Sequence, residues 1–345
     1  MDLSNVVLRD ISVHYIGNKG TGGEFIKSDA KLELAEREKK ILAEAFMSRF
    51  VTDKDKYRFN HPVALDYSEV YNYCLECLAE NDSFQKNSVN IGRHLFESST
   101  HPKIKPGELY VCYFEQCSIG NQYVDAIGIF KTETKSRFLD LQVENDFDFQ
   151  MREGVEVTKF DKGCLVFASN AEQGFDVLVY NSTRGEDAVY WNETFLGVVP
   201  QADEYYQTNQ FLSLTREYIE KQVTQDFEIT KTEQIDLLNK SVEYFRSNGE
   251  FNKETFAKQV MADESMISSF RRFEETYSEM NDLELPDSFS ISTPAVKKQA
   301  RVFKSVLKLD KNFHIYIHGD KDLIEKGYDA HVGKSYYKIY FDEEQ

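Results

Sequence analysis

The sequence predicts an α+β protein, with helices packed on an antiparallel meander sheet and then a mainly helical C-terminal domain ending in a β-hairpin. Two observations carry that expectation. In the middle of the chain, short runs such as ELYVCYFEQC and QYVDAIGIFKT alternate apolar and polar residues and are separated by turn residues. After Pro200 the period changes, and Tyr205–Val223, Lys231–Arg246 and Lys253–Met261 read as successive helices with polar breaks at Asp226 and Ser247-Asn-Gly249. The change of period marks a boundary between an α+β domain over 1–200 and a mainly helical domain with a basic helix and β-hairpin over 201–345. A chain of 345 residues suits two domains of about 100–200 residues each.

Taken in order, Val6–Ile16 reads as a strand and is followed by IGNKGTGGEF, with four glycines between Gly17 and Gly23. The glycines suggest a phosphate cradle, but Gly23-Glu24 stands where a P-loop needs Lys-Ser/Thr, and a carboxylate there repels phosphate. A mobile turn without nucleotide is expected instead. A helix is expected from about Ala30 to Phe50, with Leu32, Ala35, Leu42 and Phe46 on one stripe, and two more over Tyr67–Ala79 and Phe84–Ser98. Pro102 and Pro106-Gly107 then punctuate the change to strands. Residues 118–121 turn the first hairpin, SRFLDLQV is expected to continue the meander, and GCLVFAS and FDVLVYN supply two further strands. Tyr190–Gly197 has a mixed pattern that can begin a helix, and an acidic run from Glu274 to Glu284 leads to Pro286.

Thr293-Pro294 opens a last helix with a capping residue and a first-turn proline. Val296, Ala300, Phe303 and Leu307 recur at 4-3-4 spacing as its apolar face. Lys297, Arg301, Lys304 and Lys308 repeat that spacing one residue along, and with Lys298 and Lys311 they make the one dense basic surface in the sequence. FHIYIHG and SYYKIYF close the chain as two alternating runs that suggest a terminal hairpin.

The formal charge of −18 at pH 7 would repel nucleic acid if it were evenly spread. It is not: from Pro294 onward ten Lys/Arg stand against eight Asp/Glu, leaving −20 on the first 293 residues. No apolar run approaches the ~18 residues of a spanning helix, and the first residues lack the basic and apolar regions of a signal peptide. A cytoplasmic protein without a membrane partner is expected. Five cysteines, Cys74, Cys77, Cys112, Cys117 and Cys164, argue for reduced, buried thiols. A four-thiolate zinc site from the first four is disfavoured, because Cys74 and Cys77 follow an apolar helical pattern and a regular strand would aim Cys112 and Cys117 at opposite faces.

Two further sets have the residue types of metal chemistry. Asp125 with Glu133 and Lys135 resembles the carboxylates and lysine of a metal-dependent nuclease, although such sets arise easily in a chain with 29% charged residues. His314 and His318 would share one helix face, but Phe313, Ile315 and Ile317 alternate with them. On a strand the two are about 13 Å apart, too far for one ion.

The segment RVFKSVLKLDKNFHIYIHGDKDLIEKGYD at 301–329 resembles the bacterial nucleoid-associated protein family of the NdpA type. ELYVCYFEQC, VDAIGIFK, VYWNETFLGV and TNQFLSLTREYIE fall in the order that family shows. The resemblance implies a cytoplasmic bacterial protein of the nucleoid, with DNA or nucleoid proteins as partners and a link to DNA topology enzymes. It brings no catalytic residues and no cofactor. The expected function is nucleoid association, by non-specific DNA contact through Lys297, Lys298, Arg301, Lys304, Lys308 and Lys311 or by docking on DNA-bound proteins. A protein adaptor without DNA contact and a metal-dependent nuclease are the alternatives.

Overall fold

The computed structural model describes the chain except residues 1–4, 51–54, 120–121, 144–146, 157, 184, 186–188, 262, 282, 302, 304–305, 318–322 and 344–345. It is α+β, and it divides into two compact units, Met1–Gln201 and Ala202–Gln345.

The first unit is built on strands β1 (Val7–Ile16), β2 (Phe25–Ile26), β3 (Lys56–Phe59), β4 (Gly107–Ile119), β5 (Gln122–Thr132), β6 (Ser136–Val143), β7 (Phe147–Gly154), β8 (Lys162–Phe167), β9 (Asp176–Asn181) and β10 (Val198–Pro200). Eight of them form one sheet in the order β10-β3-β9-β8-β5-β4-β1-β2, with every pairing antiparallel. Alternation along β4 divides its side chains between two cores. Leu109, Val111 and Tyr113 meet helices α2 (Glu69–Ala79) and α3 (Phe84–Ser98) and the π turn Tyr190–Leu196. Cys112 and Phe114 point the other way, onto Phe46 and Met47 of α1 (Glu36–Met47) and onto Phe50 and Phe160.

Four sequence expectations need correction here. First, α1 starts at Glu36, not near Ala30. The Leu32 N–H is taken by Ile11 O at 2.8 Å, while the Ala35 N–H donates to the Glu38 carboxylate at 2.9 Å and opens the helix there. Second, the glycine stretch is a pinned turn, not a mobile one. Gly17 N–H donates to Glu24 O and Gly23 N–H to Asn18 O, each at 2.8 Å, and the buried Asn18 amide donates to His101 O at 2.8 Å and Ile104 O at 2.7 Å. A Cβ on Gly20 would stand 1.9 Å from Thr100 O, so close backbone approach explains that glycine. Third, SRFLDLQV leaves the meander: β6 pairs with β7 as a separate hairpin, and β5 continues the sheet through β8. Fourth, Cys112 and Cys117 lie in the same core. A β-bulge between Phe114 and Cys117, with Gln116 at φ 59°, inserts the residue that restores their common face.

In the second unit α4 (Glu204–Glu217) runs on through a π turn, Tyr218–Gln222, to Asp226. The buried Gln234 amide donates to Ile219 O at 2.8 Å, which satisfies a carbonyl within that turn. Next come α5 (Lys231–Ser247), β11 (Glu250–Asn252), α6 (Lys253–Val260), α7 (Glu264–Asn281), β12 (Ser288–Ser290) and α8 (Thr293–Ala300). Glu274, Glu275 and Glu279 of the acidic run belong to α7, whose Met266, Ile267 and Phe270 are buried. Phe211 of α4 contacts the rings of Phe245, Phe251, Phe256, Phe270 and Phe289, so aromatic side chains dominate this core. Two hairpins complete the unit, β13 (Val306–Leu309) with β14 (Phe313–Tyr316) and β15 (Ile324–Asp329) with β16 (Lys334–Ile339), so FHIYIHG and SYYKIYF do not pair with each other as expected: each takes the strand just before it as its partner.

Candidate nucleic-acid interface

Ala295 and Val296 of α8 are buried. The helix is fixed to α4 by polar contacts as well: Ser292 N–H donates to Thr208 Oγ1 at 3.0 Å, and the Gln299 amide donates to Asn209 Oδ1 and Ser213 Oγ, each at 3.2 Å. Anchoring that side leaves Lys297, Lys298 and Arg301 exposed.

The helix is shorter than the sequence suggests. It ends at Ala300, and Val306–Leu309 is a strand. Leu309 pairs with Phe313 across Asp310, Lys311 and Asn312, and Asp310 at φ 51° supplies the left-handed residue of that turn. The period-2 pattern of Val306-Leu-Lys-Leu therefore wins over the 4-3-4 spacing. Leu307 points inward to a small core with Ile235 and Ile317. Lys308 faces outward beside His314, its cross-strand partner, and both are exposed. Lys297 and Arg301 are neighbours at i,i+4, whereas Lys308 and Lys311 come from the hairpin. The expected single helical stripe does not form, although the described basic residues are all on the surface. Lys304 and His318 lie outside the described residues.

Between residues 297 and 311 six cations stand against Asp310 alone. Among the described residues, none forms an ion pair with Lys297, Arg301, Lys308 or Lys311. Lys298 has its ammonium 5.3 Å from the centre of the Tyr205 ring. The acidic run of α7 does not neutralise this segment through its buried member. Glu274 is held by Lys253 at 2.7 Å, and Asp287 binds the same ammonium at 2.9 Å. Burial opposes the charge on Lys253, but its hydrogen bonds to Asp287 and Glu274 outweigh that and raise its pKa. In β15–β16 two of the three lysines are matched: Lys326 stands opposite Tyr337, whereas Lys338 lies opposite Glu325 and Lys334 opposite Asp329. The exposed Tyr336 between them lies over Gly327, where an added Cβ would meet its ring at 2.3 Å.

The other chemical sets are dispersed. Asp125 accepts from the Tyr113 hydroxyl at 2.8 Å; burial first, and then this carboxylate, pushes the Tyr113 pKa up to about 12. Glu133 Oε1 accepts from Lys131 Nζ at 2.9 Å and Lys162 Nζ at 2.8 Å, while Lys135 pairs with Glu108 at 2.8 Å. Glu133 stands just past the end of β5 and Asp125 lies within the strand eight residues earlier, about 26 Å away at ~3.3 Å per residue, so the three residues of the nuclease-like set do not converge. Cys74 and Cys77 lie on one face of the sheet and Cys112 and Cys117 on the other. All five thiols are buried and free of disulfides, and burial pushes Cys77 and Cys117 up to about 12.

Among the described residues, no helix is long and apolar enough to cross a membrane. No curated protein matches the chain. The model of the family described as nucleoid-associated protein YejK matches residues 12–343, nearly the whole sequence, and the chain therefore belongs to that nucleoid-associated protein family.

Proposed function

We propose that the protein associates with the nucleoid by binding DNA directly and without sequence preference, through the exposed cations Lys297, Lys298, Arg301, Lys308 and Lys311, together with Lys304. The observation that carries this reading is the excess of positive charge on 297–311 in a chain that is otherwise strongly acidic. Family membership supports the nucleoid as the setting, and a cytoplasmic location follows from that setting.

The mechanism is electrostatic. Each ammonium or guanidinium that meets a phosphate releases condensed counterions, and that release drives association. The acidic remainder of the chain repels the duplex, so the approach is restricted to this segment. Cations from a helix end and a hairpin reach phosphates better than base edges, which gives positioning without sequence readout. Binding, not catalysis, is the proposed activity.

The test is the affinity of the purified protein for duplex DNA as a function of salt. Six phosphate contacts give a slope of log K against log salt of about −5, equal for unrelated sequences. Absence of any DNA complex at low salt, with nuclease-resistant capture of a nucleoid protein, would replace this reading by the adaptor.

A further inference from the structure

Strand β1 has an open stretch on its outer edge. Its inner side pairs with β4 along the strand, but on the outer side β2 reaches only Tyr15 and Ile16, and the Leu32 N–H takes Ile11 O. From Val7 to Arg9 no strand pairs with that edge among the described residues. Beside it a groove of about 730 Å³ lies between the start of β1 and α1. Its floor includes Val6, Leu8, Ala43 and Met47, which belong to the core on that side of the sheet. Its rim is the exposed row Glu36, Lys40 and Glu44, successive i,i+4 neighbours on one helix face. Lys39 holds Glu36 at 3.2 Å, while Lys40 and Glu44 have no ion pair among the described residues.

We propose that this groove takes an extended segment of a partner protein as a strand added to β1, and that the segment carries a cation, an anion and a cation at alternate positions. An unpaired strand edge offers backbone donors and acceptors that another strand satisfies, and alternate side chains of that strand then give specificity. The spacing of the rim sets the pattern. Residues four apart on a helix rise about 6 Å, and residues two apart on a strand rise about 6.6 Å. A strand laid along α1 therefore brings its first, third and fifth side chains beside Glu36, Lys40 and Glu44 in turn. The rim reads negative, positive, negative, so its complement reads positive, negative, positive. That complement is the same in both chain directions, and the segment fits in either. The methylene stems of its charged side chains lie on Val6, Ala43 and Met47, with their ends at the rim. The inverse pattern would set like charges together at all three positions, which disfavours it.

The experiment is fluorescence anisotropy of two labelled, capped peptides titrated with the full chain: Ser-Lys-Val-Glu-Val-Lys-Ser and its charge-swapped form Ser-Glu-Val-Lys-Val-Glu-Ser. Wild type is expected to bind the first at least about tenfold more tightly than the second. The triple variant Glu36→Lys, Lys40→Glu and Glu44→Lys, on exposed positions, should reverse that order, and its melting curve checks that it is folded. A second measurement needs only wild type and separates strand addition from side-chain docking. Alternate N–H groups of a strand face the same edge, so methylating the valine nitrogens or, separately, those of lysine and glutamate should abolish binding in one case and spare it in the other. Binding lost in both cases or in neither would mean that no ladder forms on β1 and would overturn the proposal. Equal affinity of wild type for the two peptides, an unreversed preference in the folded triple variant, or no binding of either peptide would overturn it as well.

Discussion

Two groups of cations in this molecule show how differently the same side chains are used. Lys131 and Lys162 face each other on β5 and β8, both fully buried, and share the Glu133 carboxylate. Lys131 also donates to Lys105 O at 2.7 Å. In the other unit, Lys297, Arg301, Lys308 and Lys311 are exposed and without an ion-pair partner among the described residues. A buried ammonium must be satisfied by the fold itself, so its partner is part of the core. Exposed ammoniums contribute little to stability and leave their field available to a polyanion. Charge density alone does not separate the two roles; the presence of a partner does.

The largest effect should come from breaking the interior group. Glu133→Gln leaves two buried ammoniums without their carboxylate and is expected to cost about 3–5 kcal/mol, read as a drop in the denaturant midpoint. Replacing all three, Lys131→Met and Lys162→Met with Glu133→Leu, should recover most of that loss, since an apolar replacement removes the buried charges.

A second interior group responds to pH. His14 is buried; its Nδ1 accepts from the Ser28 N–H at 3.0 Å and its Nε2 lies 3.2 Å from Ser88 Oγ. Desolvation lowers its pKa from 6.5 to about 4, so the fold favours the neutral ring. Its contribution is present above pH 6.5 and is lost as pH falls from there toward 4, up to about 3 kcal/mol in all. Denaturation midpoints between pH 7 and 4 should fall more steeply in wild type than in His14→Gln.

An intermediate case sharpens the contrast. Thr230 is on the surface but has partners, accepting from the Glu233 N–H at 3.2 Å while its own N–H donates to the Glu233 carboxylate at 2.7 Å. Thr230→Ala should cost about 1 kcal/mol. A thermal melt measures it.

Much of this arrangement was legible in the sequence, for identifiable reasons. Lys231–Ser247 announces its start with Thr230 and Glu233, and Phe84–Ser98 has the bounds its pattern suggested. The β4–β5 pairing follows from alternation, while residues 120–121 of the turn expected at 118–121 lie outside the described residues. Where local patterns compete, the reading failed. Residues 301–308 satisfy a helical and a strand period at once, and the turn at Asp310-Lys311-Asn312 decides for the strand. The bulge at Gln116 left no mark in the apolar pattern. Helix α7 was obscured because Glu274, Glu275 and Glu279 drew attention from Met266, Ile267 and Phe270. The cations of 297–311 were visible as charges. Their surroundings were not, because whether a lysine finds a partner depends on residues distant in the chain, as Lys253 with Asp287 and Lys162 with Glu133 show.

The smallest effect on stability should accompany the largest effect on binding. Arg301→Glu with Lys308→Glu changes two exposed positions, and its melting curve should stay within about 0.5 kcal/mol of wild type. The decisive measurement is the affinity of this folded double variant for duplex DNA at low salt, alongside the slope of log K against log salt. Direct contact predicts that binding is lost or reduced by orders of magnitude, and that any residual slope is shallower by about two. Unchanged affinity and slope in a variant with the wild-type melting curve would contradict the assignment of DNA contact to these cations.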